Sequence, residues 1–370
     1  MNKMIYADNA ATTRLSDAAL QAMLPYLQSE YGNASQPYSF ARTPKAALAK
    51  ARETIAKCIG ALPEEIYFTS GGTESNNWVL RNSIFGGSEV LISSIEHHSI
   101  LNAAKEAEIL DHYLPVDSEG IVSPTTLTNA ISDRTALVSV MMANNEIGTI
   151  EPTAELAAVA HTHDCLFHTD AVQAVGHIDI NVHELDVDFL SASAHKFNGP
   201  KGVGFLYIRK GITLDPLILG GAQESNMRAG TENIASIVAM ASALEENVIH
   251  LQENKKHLRQ LEECFFAQLA GEGIKCHRNG ALSSIPGNIS VSFDGLSGEA
   301  ILHRLDLKGI MISTGSACDS KDTQISHVLK AINLSENLAK GTIRISFGKY
   351  NTQEDAIAIA KALVQIIKAK

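Results

Sequence analysis

Short apolar runs alternate along this chain with stretches of helical periodicity, and each run stops at a cluster of small, polar or glycine residues. The runs lie at Ile66–Thr69, Val90–Ile92, Ala136–Met142, Cys165–His168, Phe189–Ala192 and Val203–Ile208. Helical patterns such as Thr153–His163 sit between them. Ahead of them, Thr43–Ile59 puts Leu48, Ala51, Ile55 and Ile59 on one face, with Gly60 behind as a C-cap. Parallel strands need long crossovers, and helices supply them, so this alternation predicts an α/β fold with a mainly parallel sheet covered on both faces. Open sheets of that kind gather ligands outside the carboxyl ends of their strands. The polar clusters that close the runs are therefore the candidates for chemistry.

The pattern changes in the last third. One long helix is predicted from about Glu232 to Leu269. Beyond it, strands at Ile289–Phe293, Met311–Ser313 and Thr342–Ser346 alternate with helices at Gly298–Leu307, Ile325–Ile332 and Thr352–Lys368. A boundary near residue 250 gives a large domain over 13–250 and a smaller α+β domain over 1–12 and 251–370. At 370 residues and 45% hydrophobic content, the chain is long enough to build both cores. A formal net charge of -11 without a dense basic run disfavours nucleic acid and anionic membranes as partners. No apolar run approaches the roughly 18 residues of a membrane span, and the first residues lack the apolar stretch of a signal peptide. Cys58, Cys165, Cys264, Cys276 and Cys318 are scattered, with no Cys-x-x-Cys spacing. Reduced thiols in a cytoplasmic protein fit that better than a disulfide frame or a zinc site.

Asp188-Phe189-Leu190 runs into Ser191-Ala192-Ser193-Ala194-His195-Lys196 and then a Gly/Pro turn. A lysine at the end of a buried strand loses solvation, so its amine becomes neutral and nucleophilic more easily. Small neighbours leave room for a planar group, as a Schiff base with pyridoxal phosphate requires. A solvated strand-end lysine is the plain alternative. Ser70-Gly71-Gly72-Thr73-Glu74 opens a helix just after a strand, where free N–H groups and the helix dipole favour a phosphate; taken by itself, an ordinary helix start is the better reading. Asp170, at the end of Cys165–His168, suits a protonated pyridine nitrogen, with Gln173 beside the ring hydroxyl; alone, it also reads as an N-cap.

Glu96-His97-His98-Ser99 follows the Val90–Ile92 run, where a histidine can stack on a ring and relay protons. Adjacent histidines do not converge on one ion, and no third ligand accompanies them, so no metal is expected. Asn145 offers an amide to the same pocket. Cys318 lies in a small-residue stretch, Ser313–Ser320, which predicts an exposed, mobile thiol suited to nucleophilic attack, or an incidental surface cysteine. Arg344, a cation inside the apolar Thr342–Ser346 strand, reads either as a bidentate clamp for an α-carboxylate or as half of a structural salt bridge.

Together these residues resemble the cysteine desulfurases of the NifS/IscS type, within the class V aminotransferase family of fold-type I pyridoxal-phosphate enzymes. The resemblance runs from Tyr6–Thr13 to Arg344–Gly348 and takes in Thr69–Asn76, Ala143–Thr149, His168–Gln173, Ala194–Lys196 and Arg228–Asn233 in the family's order. It implies a seven-stranded sheet and a covalent cofactor on Lys196, with His97 stacked above the ring, Asp170 at the pyridine nitrogen and Gln173 at the phenolic oxygen. It implies phosphate contacts from Gly72, Thr73, Ser193 and His195. Thr231 would reach the partner subunit's phosphate, which makes the protein a homodimer with shared sites. Asn33, Asn145 and Arg344 would orient the substrate, L-cysteine. Cys318 would take its sulfur as a persulfide, leave L-alanine, and pass the sulfur to an acceptor such as an iron–sulfur scaffold or a tRNA-thiolation protein.

One loop departs from the family's Gly-Asn-Pro-Ser-Ser-x-His-x-x-Gly. Here Ala34, Gln36, Tyr38 and Ala41 stand where Pro, Ser, His and Gly are usual, although Asn33 remains. The chain ends at Lys370 soon after the last helical pattern, and no particular scaffold partner is implied. Three rivals use the same residues differently: a selenocysteine lyase, a class V aminotransferase or decarboxylase that does not need Cys318, and a sulfur carrier that has lost turnover through the altered loop.

Overall fold

The computed structural model describes residues 4–83, 88–106, 113–314 and 325–369. In chain order its strands are β1 (Ile5–Tyr6), β2 (Ile66–Thr69), β3 (Glu89–Ser93), β4 (Tyr113–Leu114), β5 (Thr135–Ser139), β6 (Leu166–Asp170), β7 (Phe189–Ser193), β8 (Gly204–Ile208), β9 (His277–Arg278), β10 (Asn288–Ser292), β11 (Ile310–Met311) and β12 (Thr342–Ser346). Seven of them form one sheet in the order β2-β8-β7-β6-β5-β3-β4. β8 runs antiparallel to both neighbours while the other pairs are parallel, so every strand except β8 ends on the same edge.

The pleat explains why these runs are continuously apolar. Leu91, Val138, Leu190, Phe205 and Tyr207 point into one core, whereas Val90, Ile92, Leu137, Phe189, Leu206 and Ile208 point into another on the opposite face. Alternate residues face opposite sides, so a strand buried on both sides has no polar positions to spare. Apart from neutral groups such as His168 and Ser191, the polar residues come at strand ends, where the sheet edge opens.

A third core joins Ile5 and Ala7 to Leu258, Phe265, Val291, Leu305, Ile343 and Leu363. It covers the antiparallel sheet β12-β10-β9 and the parallel β1–β11 pair. The predicted long helix is not continuous. It is two helices, Ile234–Ile249 and Leu251–Gly271, bent by 72° at His250. We propose His250 as the domain division, because the second helix supplies the third core; Val328, Leu329 and Ala339 cross it to pack on the first. Among the described residues no single helix is long and apolar enough to cross a membrane.

β2 is an edge strand, and its outward groups are covered. The Glu224 carboxylate accepts from Arg52 Nη1 and Nη2 at 2.8 and 2.6 Å and from the Phe68 N–H at 2.9 Å. Arg52 also donates to the Ile66 carbonyl. Glu224, Ser225 and Asn226 hold positive φ of 47°, 56° and 68°, a conformation that non-glycine residues keep only when neighbours enforce it. Glu224→Ala, which leaves a half-buried guanidinium unpaired, is expected to cost about 3–5 kcal/mol in urea unfolding. Adding Arg52→Ala is expected to cost little more, because both changes remove one interaction.

Candidate functional site

At the common edge lies a cleft of about 410 Å³. It brings together Gly72, Thr73, His97, Asn145, Asp170, Gln173, Ser193, His195, Lys196 and Arg344, drawn from the ends of β2, β3, β5, β6 and β7 and from β12. Two sequence candidates stand apart from its lining. Asn33 accepts a hydrogen bond from the Ser35 N–H at 2.9 Å, and Thr231 is exposed. Cys318 lies outside the described residues.

Lys196 closes the single helical turn Ala194–Lys196 that follows β7. Its Nζ donates to the carbonyls of Ala10 and Ala11 at 2.5 and 2.9 Å. Gln173 Nε2 shares the Ala10 carbonyl at 3.0 Å. Thr13 donates from N and Oγ1 to the His195 carbonyl at 2.9 and 2.8 Å, so residues 10–13 lie as a strap across the lysine.

The turn after β2 reaches the cleft through Gly71, whose φ of 145° few L-residues adopt. The Gly72–Asn82 helix begins there and packs so tightly that a Cβ on Gly72 would stand 2.5 Å from Val172 Cγ2. Its first turn, Ser193, His195 and Lys201 border an adjoining space of about 430 Å³. A helix start, two hydroxyls and a lysine suit a phosphate. Burial, with Lys196 and Lys201 nearby, lowers the His195 pKa to about 4, so at neutral pH its ring is an uncharged hydrogen-bonding group.

Asp170, 4% exposed, ends β6. Oδ1 accepts from the Val172 N–H at 3.0 Å and Oδ2 from Asn76 Nδ2 at 2.7 Å. A carboxylate has about four acceptor positions, so room is left for a ring N–H. His97 lines the same cleft, its Nδ1 2.9 Å from Ser99 Oγ. Burial lowers its pKa, helped by Lys196 and His98 and opposed by Asp170. Glu96 is fully buried, with Oε1 accepting from the Met141 N–H at 2.6 Å and Oε2 without a partner. Burial, reinforced by Asp170, pushes its carboxyl well above the usual carboxylate range.

Arg344 is 3% exposed, and the salt-bridge reading of it is realised: Nη2 donates to Asp8 Oδ1 at 2.7 Å. Nη1 donates to the Asn145 carbonyl at 3.1 Å, while Nε is buried without a partner. Ser313 and Arg344 exchange backbone hydrogen bonds at 3.0 and 2.7 Å. Ser326 Oγ donates to Glu146 Oε2 at 2.6 Å, and His327 Nε2 donates to the Glu96 carbonyl at 3.0 Å. Both described flanks of the Cys318 segment are thus tied to residues of this cleft.

Sequence reading missed Asp8, Asn76, Ser99 and His327 as parts of the site. Asn76 and Ser99 fall inside quoted motifs, yet their partners are distant in the chain. The one available signal is that Asn76 lies one helical turn beyond Gly72, on the face aimed at the cleft.

Behind the cleft, His168 has Nδ1 2.8 Å from Ser139 Oγ and Nε2 3.0 Å from Ser191 Oγ. Burial lowers its pKa from 6.5 to about 3. The unfolded chain therefore binds a proton that the folded one refuses. This contribution is intact above pH 6.5 and is lost as pH falls toward 3. Urea stability should fall in that window by up to about 1.4 kcal/mol per pH unit for this one group. A His168→Gln variant should show a correspondingly shallower decline between pH 6 and pH 4.5.

The Aminotransferase class-V family matches residues 5–359. Cysteine desulfurase IscS of Dictyoglomus turgidum is 47% identical over 376 aligned residues, covering 100% of this chain and 95% of the relative. A solved NifS-like protein superposes with a TM-score of 0.93 at 37% identity, covering 100% of both chains. An SspA protein solved in complex with cysteine superposes with a TM-score of 0.83 at 34% identity, covering 94% of this chain and 100% of that one. Seven strands of the expected topology, a lysine-bearing strand end and full-length likeness make this chain a member of the class V aminotransferase family, built on the fold of the NifS-like enzymes.

Proposed function

We propose that this protein is a pyridoxal-phosphate-dependent cysteine desulfurase: it converts L-cysteine to L-alanine and carries the released sulfur on Cys318 as a persulfide. The observation that carries the reading is that the Lys196 amine, the Asp170 carboxylate and the Arg344 guanidinium open onto one cleft. Its volume of about 410 Å³ lies within the range of small-molecule sites, roughly 300–1,000 Å³.

The residues present fit the cofactor. Gly72, Thr73, Ser193 and His195 would hold its phosphate, Asp170 its pyridine nitrogen, Gln173 its phenolic oxygen, and Lys196 its aldehyde carbon. When bound, pyridoxal phosphate supplies an electron sink for the carbon that bears the substrate's amino group. Everything else falls to the chain itself. Arg344 and Asn145 orient the amino acid by its carboxylate. The Lys196 amine takes a proton from the α-carbon. The SspA protein solved with cysteine supports this choice of amino acid.

The overall exchange needs no outside oxidant. The substrate's C–S bond breaks, an S–S bond to Cys318 forms, and the departing carbon keeps the electron pair and gains a proton. Cys58, Cys165 and Cys276 are poor rivals for the nucleophile, because burial raises each thiol's pKa, that of Cys58 to about 11. Thr231, exposed and away from the cleft of its own chain, supports a homodimer in which it serves the partner's site. A cytoplasmic setting accords with four described cysteines that are all free. A sulfur-acceptor protein completes the cycle.

Lys196→Ala is expected to abolish both the visible absorbance of covalently held cofactor and alanine release. Cys318→Ser should keep that absorbance and lose persulfide formation; alanine and sulfide release at the native rate would refute the role of Cys318. Arg344→Lys keeps the charge but loses the planar fork, and its KM for cysteine should rise by about 10–100-fold. Steady-state kinetics at saturating cofactor measure that change.

A further inference from the structure

We propose that Ser99 and Asn76 are positioning residues that fix the tautomer of His97, through a one-way chain of hydrogen bonds anchored on the Asp170 carboxylate. The inference deepens the desulfurase reading, on which it rests for what His97 does; the chain itself follows from the residues.

The direction of every bond is forced. A carboxylate accepts and does not donate. Asp170 Oδ2 lies 2.7 Å from the Asn76 amide, so that end of the amide is the NH2; turned over, it would set oxygen against oxygen. The same nitrogen is 2.8 Å from Ser99 Oγ, which receives the second amide hydrogen. The Ser99 hydroxyl therefore accepts from Asn76, and its own proton goes to His97 Nδ1 at 2.9 Å. The Ser99 backbone N–H meets the same nitrogen at 3.1 Å. A ring nitrogen that receives two donors carries no hydrogen. The neutral imidazole then holds its proton on Nε2 and offers it to the cleft that His97 lines.

The orientation of Asn76 has a visible cost. Its Oδ1 is buried without a hydrogen-bond partner, which a side chain placed only for packing would avoid. The surroundings favour the neutral ring. Burial, Lys196 and His98 lower the His97 pKa while Asp170 raises it. The His98 ring stands edge-on at 6.3 Å, and His327 lies beyond it at 5.0 Å from His98. With Nδ1 occupied, His97 gives up a proton from Nε2 and takes one back there without its ring turning. That is what a relay between a thiol and a departing carbon needs.

The test uses holoenzyme labelled with 15N-histidine, whose one- and two-bond nitrogen–proton correlations distinguish the tautomers. The His97 signals are those lost in His97→Gln. Wild type is expected as the Nε2–H form. Ser99→Ala, which removes a single oxygen near the start of the His98–Glu106 helix, should give a mixture of tautomers and lower kcat by about tenfold. The KM for cysteine should stay within about twofold, since Ser99 acts on proton transfer and not on substrate binding. Ser99→Thr should restore both readouts, and Asn76→Ala should reproduce the spectral change.

In a His97→Gln background, Ser99→Ala should have no further effect on rate. An unchanged tautomer in Ser99→Ala, a failed rescue by Ser99→Thr, or a full additional loss in the His97→Gln background would each overturn the proposal. If the spectra respond as stated while the protein releases no alanine from cysteine, the desulfurase reading fails and the hydrogen-bond chain stands.

Discussion

The common direction of the strands governs this molecule. Every strand of the main sheet except β8 ends on one edge, and both sheet faces are sealed by apolar cores. Apart from the neutral buried group of His168, Ser139 and Ser191, polar side chains in this region collect where the strands stop. Ser70–Thr73, Glu96–Ser99, Asp170–Gln173 and Ser193–Lys196 all sit at such places, and their convergence follows from strand polarity alone. Once gathered, the charges must be balanced in a poorly solvated space. Asp170 draws donors from Asn76 and Val172, Arg344 draws Asp8 and the Asn145 carbonyl, and Lys196 draws the Ala10 and Ala11 carbonyls. The N-terminal strap is thereby part of the site and not a free end.

Much of this was legible because the informative residues are contiguous with their strands. An apolar run followed by Ser-Ala-His-Lys or His-Thr-Asp states both the element and the group it delivers. The same holds for Gly60, predicted to close the Arg42–Ile59 helix and found in the left-handed conformation with φ of 71°. What local pattern cannot carry is a partner far along the chain. Asn76 and Ser99 are 23 residues apart, and Asp8 and Arg344 are 336 apart; nothing near either member names the other. The bend at His250 was hidden for a related reason. Helical periodicity continues through it with neither glycine nor proline, and the break follows from which core each half serves. The β1–β11 pair is two residues long on each strand, too short for any alternation to show.

Of the two sequence readings of Arg344, the salt bridge is realised, and the clamp belongs to the proposed function. A buried guanidinium without an anion would be costly, and Asp8 supplies one. That pairing uses Nη2, and the Asn145 carbonyl uses Nη1, yet Nε stays buried and unbonded in a cleft otherwise economical with its donors. The salt bridge to Asp8 holds the cation in place at the cleft. The backbone of Arg344 is also paired with Ser313, one residue before the last described position ahead of the Cys318 segment. The cleft's buried cation and the described flank ahead of the Cys318 segment thus share one strand. Holding the guanidinium at the cleft and holding Ser313 beside it are, for β12, the same structural task.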